Sequence, residues 1–216
     1  MDPYNILARI AVFALPVIFA ITVHEAAHGY AAKHFGDRTA YMLGRVSLNP
    51  VKHIEILGTV ILPLITVAFG NFIFGWAKPV PVNEKNLRSP KRDMIWVAAA
   101  GPGANLAMML AWALVAKLVS ELPFADVNTY WYSVAEAGIY VNILIGVFNL
   151  LPLLPLDGGR IVQSLLPDRL SYAYSHLEPI GLPILLLLML TPVLGWIVGP
   201  VLSAGMTSVH SVFGLP

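Results

Sequence analysis

Long apolar runs divide the chain at residues 6–32, 94–119, 132–151 and 180–202. Each is near or above the roughly 18 residues that a helix needs to cross a bilayer. The pattern predicts an all-α polytopic membrane protein with about four to six transmembrane helices, not a soluble fold with one anchor. A further apolar stretch, residues 56–74, is interrupted by Pro63 and Gly70. Proline removes one rung of a helix ladder and kinks or breaks the element, so this stretch reads as a re-entrant segment or, alternatively, as a full crossing. Residues 36–50 and 75–83 are rich in turn formers and β-formers, which predicts a short β element at the membrane edge.

Lysine and arginine bear on the choice between re-entry and crossing. All but Arg9 and Lys117 lie in residues 33–53, 77–92 and 157–178. Basic residues concentrate in cytoplasmic loops, so the three segments are expected on one side, with residues 54–76 entering and leaving from it. Residues 120–131, which hold Glu121 and Asp126 and no base, then face outward. Of the 216 residues, 57% are hydrophobic and 12% charged, against roughly 25% charged in soluble domains. No hydrophilic stretch is long enough to bury its own core, so residues 1–216 read as one membrane domain. Its core is expected at residues 6–160 and its C-terminal helix at residues 180–202. No basic run interleaved with aromatics suggests a nucleic-acid surface. With no cysteine in the chain, any metal must be held by nitrogen and oxygen.

The first apolar run contains His24-Glu25-Ala26-Ala27-His28. Positions i and i+4 share one helix face, so both imidazoles can reach one metal ion while Glu25 sits beside them to handle a water's proton. Ionisable groups inside hydrocarbon are costly and mark functional sites by default. A catalytic zinc usually takes three protein ligands, and Asp157 is the best-placed third. It follows Pro152 and Pro155, which end the third run, and precedes Gly158 and Gly159, which permit a sharp turn. His24 lies about 14 Å below the end of the first run, within reach of an extended segment re-entering from that side. Asp-Gly is also an ordinary turn signal, and that reading of Asp157 stands beside the metal reading.

These residues, together with Gly101-Pro102-Gly103-Ala104-Asn105 and the stretch at residues 149–158 that ends in Asp-Gly, resemble the site-2 protease family of intramembrane zinc metalloproteases. The resemblance covers about residues 20–160, and its specificity comes from the order and spacing of the motifs together. It implies one Zn2+ ion held by His24, His28 and Asp157, Glu25 as general base, and Asn105 and Asn149 lining a substrate cleft. It further implies cleavage within a transmembrane helix of a membrane protein. The expected form is a minimal member without a PDZ or CBS domain, in a prokaryotic plasma membrane, with its site open to the cytoplasm.

Asn105 and Asn149 could instead serve as hydrogen-bonding links between helices, and Gly101 to Gly103 read as residues that permit close helix packing. A divalent-metal transporter is the alternative from another class. Transport needs ligands strung along a path open to both sides, whereas the candidate ligands here converge toward one side.

Overall fold

The computed structural model describes residues 3–61, 75–122 and 125–216. Eight α-helices appear there: α1 (Pro3–Phe35), α2 (Thr39–Met42), α3 (Pro90–Ser120), α4 (Ala125–Asn149), α5 (Asp157–Leu165), α6 (Asp168–Ser175), α7 (Glu178–Leu190) and α8 (Val193–Phe213). Among the described residues, α1, α3, α4 and α8 are long and apolar enough to cross a membrane. The pair α6 and α7, bent by 60°, makes a fifth span if taken as one. The expected all-helical, polytopic class is what forms.

Apolar pattern and small residues together build the bundle. α3 opens with Pro90 at a position where a missing N–H costs nothing. The Asp93 carboxylate accepts from the Ser89 N–H at 2.7 Å, satisfying a donor that the first turn would otherwise leave bare. Pro16 and Pro102 lie inside α1 and α3; prolines are tolerated in membrane helices because neighbouring groups re-satisfy the freed backbone. Ala113 and Ala116 of α3, Ala135, Ile139 and Ile143 of α4, and Val209 near the end of α8 bury one another in a common cluster. Alanine and glycine let helices approach closely where lipid supplies no hydrophobic drive to associate.

The fourth expected span requires correction. Residues 180–202 do not form one helix: α7 ends at Leu190, Thr191 is extended (ψ 159°), and α8 runs on to Phe213. The cause is local, because Pro192 disfavours the α conformation in the residue before it.

The expected β element at the membrane edge is also corrected: no strand forms among the described residues. Residues 36–50 instead contain α2 and lead into a 3-10 turn, Pro50–His53. Residues 75–83 form no regular element, and Pro79 and Pro81 carry no N–H for a ladder. Four amides there bond to scattered partners: Trp76 to the Gly58 carbonyl (3.1 Å), Lys78 to the His53 carbonyl (2.8 Å), Val80 to Glu25 (2.8 Å) and Asn83 to Asp37 (2.7 Å). The expected re-entrant segment at residues 54–76 falls largely on residues 62–74, which lie outside the described residues.

Candidate metal centre

α1 carries His24, Glu25 and His28 on adjacent turns, and the first residue of α5 brings Asp157 to them across the bundle. His24 Nε2 stands 3.1 Å from His28 Nε2 and 3.2 Å from Asp157 Oδ2, and His28 Nε2 stands 3.4 Å from Asp157 Oδ1. The three ligand atoms lie within 4.8 Å of one another. Both histidines are buried and the Asp157 side chain is 12% exposed.

The hydrogen bonds behind the rings decide what the front presents. His28 Nδ1–H donates to the Val97 carbonyl at 2.7 Å, and His24 Nδ1–H donates to Asn105 Oδ1 at 2.6 Å. The Asn105 orientation follows from its own amide, which donates to Asn142 Oδ1 at 2.9 Å and to the Ala20 carbonyl at 3.4 Å. Each Nδ1 thus carries the ring proton and each Nε2 presents a lone pair. Two lone pairs and a carboxylate face one point with no hydrogen between them, and Asp157 Oδ2 is buried without a hydrogen-bond partner. Such a set is repulsive by itself and becomes favourable around a cation. Two imidazoles and a carboxylate are also donor types that zinc takes at catalytic sites, so these residues fit the ion.

Close packing explains the glycines. A Cβ on Gly101 would lie 2.4 Å from His28 Nε2 and 2.6 Å from His24 Nε2, so the second motif supplies a bare backbone against which the imidazoles rest. Gly158 and Gly159 act differently from the expected sharp turn, for neither is among the positive-φ glycines. A Cβ on Gly158 would meet the Leu150 carbonyl oxygen at 2.2 Å, and one on Gly159 would meet the Leu154 nitrogen at 2.4 Å. They let the proline-rich segment fold back against the first turn of α5, which sets Asp157 in place.

The expected cleft residues separate. Asn149 lines a cavity of about 800 Å3 that also exposes His24, Glu25, His28 and Asp157. Asn105 does not line it; that side chain is completely buried behind His24 and orients the ring. Three contributors went unread in the sequence: the Val97 carbonyl, the Val80 N–H on Glu25, and Asn142, which holds Asn105 and donates to the Gly138 carbonyl at 2.8 Å. Backbone groups carry no side-chain signature. Asn142 did have one, as an amide in the middle of an apolar run.

With the geometry in view, comparison with known proteins identifies the family. The model of peptidase family M50 matches residues 12–191. The chain belongs to peptidase family M50. It is 35% identical to YwhC of Bacillus subtilis over 97% of this chain and 94% of that protein. It is 28% identical to Rip2 of Mycobacterium tuberculosis over 90% of this chain and 74% of that protein. With MJ0392 of Methanocaldococcus jannaschii the identity is 26%, over 76% of this chain and 37% of that protein. All three bear zinc-metalloprotease names. No solved structure matches the chain significantly. The M50 chain is a site-2 protease-type zinc metalloprotease with several apolar helices of an integral membrane protein, as the sequence motifs implied.

Proposed function

We propose that this M50 protease cleaves a peptide bond in a transmembrane helix of a membrane protein, using His24, His28 and Asp157 as zinc ligands and Glu25 as general base. The observation that carries this reading is the convergence of two ring lone pairs and the Asp157 carboxylate beside Glu25, on one wall of a cavity. Ile21, Trp76, Phe148, Leu185 and Leu194 line the same cavity and suit an apolar chain. Asn149 donates its amide to the Ile145 carbonyl at 2.9 Å, which leaves its side-chain oxygen to accept from a substrate N–H.

Zinc, when bound, polarises the scissile carbonyl and lowers the pKa of the attacking water toward about 7. Glu25 takes that water's proton and passes it to the leaving amine. The Val80 N–H holds one Glu25 oxygen at 2.8 Å, leaving the other for the proton. His24 and His28 are fixed in the metal-ready tautomer by Asn105 and Val97. The basic residues at residues 33–53 and 77–92 support a site that opens to the cytoplasm, and bacterial relatives support a prokaryotic plasma membrane.

The test uses detergent-purified protein and a quenched-fluorescence peptide bearing one synthetic transmembrane helix of leucine, alanine and glycine. Glu25→Gln should lose cleavage by at least about a hundredfold while retaining zinc, and Asp157→Ala should lose zinc itself. Full cleavage by the first variant would remove Glu25 from its role, and unchanged metal content in the second would remove Asp157 from the ligand set.

A further inference from the structure

Between the end of α1 and α3, residues 76–83 run past the Glu25 face of α1, pinned by backbone bonds at Trp76 and Lys78 and by side-chain acceptors at Val80 and Asn83. Val80 lies between Pro79 and Pro81. Proline has no N–H, so the Val80 amide is the sole donor of those three residues, and it is given to Glu25 Oε2 at 2.8 Å. The carbonyls just upstream are held by Arg45, whose Nη2 donates to the Lys78 oxygen at 2.9 Å and the Pro79 oxygen at 3.3 Å. Arg45 is itself seated by its neighbour. Val46 and Val80 both pack on the bare face of α1 at Gly29, where a Cβ would lie 2.8 Å from Val46 Cγ2 and 3.2 Å from Val80 Cγ1.

A guanidinium is suited to this task because its planarity fixes the directions of the two N–H bonds of Nη2, which donates to both carbonyls, whereas the N–H bonds of an ammonium rotate freely. A chain of contacts therefore leads from Arg45 to two carbonyls, across a proline-stiffened peptide, to the amide that orients the carboxylate.

We propose that Arg45 is a positioning residue for Glu25, acting through the Lys78–Val80 backbone. Arg45 touches neither the metal ligands nor Glu25; its effect is transmitted by the placement of one N–H. The inference rests on the reading of Glu25 as general base.

Four variants of this chain test it with the same leucine, alanine and glycine peptide, with zinc content measured alongside. Arg45→Gln should lower kcat about tenfold, less than the roughly hundredfold or more that loss of the base itself costs, with KM within about twofold of the unaltered protein. Val80→Pro, which deletes the donor together with the valine packing at Gly29, should lower kcat at least as far. The double variant should be no worse than Val80→Pro alone, because residues on one line of action are not additive. Arg45→Lys should recover part of kcat, and all should keep their zinc. If Arg45→Gln does not fold, Val80→Pro and Arg45→Lys carry the comparison.

A raised KM at unchanged kcat, an unchanged kcat, or losses that multiply in the double variant would each overturn the proposal. Glu25→Gln separates the two levels. Cleavage by that variant defeats the base assignment beneath the inference, whereas its inactivity beside normal Arg45→Gln and Val80→Pro activity defeats the inference alone.

Discussion

The imidazoles of His24 and His28 owe their chemistry to what lies behind them. A buried ring nitrogen facing a carbonyl or an amide oxygen must carry the proton, so Val97 and Asn105 dictate that both Nε2 atoms face forward as bases. Gly101 is the glycine whose missing side chain is the space the two rings occupy. Gly101→Ala should push the rings from their present positions, and zinc affinity should fall by about 10–100-fold, as when supporting groups of a metal site are disturbed. Competition with a chelating dye would measure it, while helix content by circular dichroism should remain that of the unaltered protein.

At the scale of elements, polar pins hold the described parts of the segment joining α1 to α3. Asp37 is completely buried just past α1 and accepts from the Thr39 N–H at 3.0 Å, the Asn83 N–H at 2.7 Å and the Asn86 amide at 3.1 Å. Burial opposes its charge, yet the donors of Thr39, Asn83 and Asn86 outweigh that and hold its carboxyl below the usual carboxylate range. A depressed folded pKa contributes stability above the unfolded pKa of about 3.9 and loses it as pH falls through the folded value.

Asp37→Asn replaces an acceptor with a donor opposite the Asn83 N–H. At neutral pH it should destabilise the protein by about 1–3 kcal/mol, or roughly 2–4 °C of thermal midpoint per kcal/mol. The gap between the two proteins should narrow as pH drops below about 4. Thermal scans in detergent from neutral to acid pH would show it, and a gap independent of pH would deny Asp37 this role.

At the scale of the whole molecule, the proposed orientation puts the chemistry below the cytoplasmic face. Arg160, one turn past Asp157, reaches Glu178 of α7 at 3.3 Å and Glu84 at 3.7 Å, drawing α5, α7 and the linking segment together on the side where the basic residues lie. The C-terminal end of α3, which the proposed orientation puts outside, carries the Lys117–Glu121 pair, at 3.0 Å. Because the chain has no cysteine, single introduced thiols report sidedness without background. In intact bacterial cells, Glu121→Cys should react with an impermeant maleimide and Lys85→Cys only after lysis. The reverse pattern would invert the orientation.

Much of this was written in the chain itself. The apolar runs predicted the spanning helices because lipid demands length and hydrophobicity before anything else. The spacing of His24 and His28 was legible because a helix repeats every 3.6 residues. The place of Asp157 was legible in part, from the prolines that end the third run, while the glycines after it serve close packing rather than the expected turn.

Other features had no such signature. The break at Thr191 depended on one proline within an otherwise uniform apolar run. Residues 75–83 have the composition of a strand, but pairing needs a partner edge, and their amides found side chains and loops instead. Whether Asn105 faced substrate or His24 turned on Asn142, 37 residues away. Local periodicity specifies which residues share a face, whereas the hydrogen-bond partner of a buried polar group is chosen by helices that meet only once the chain has packed.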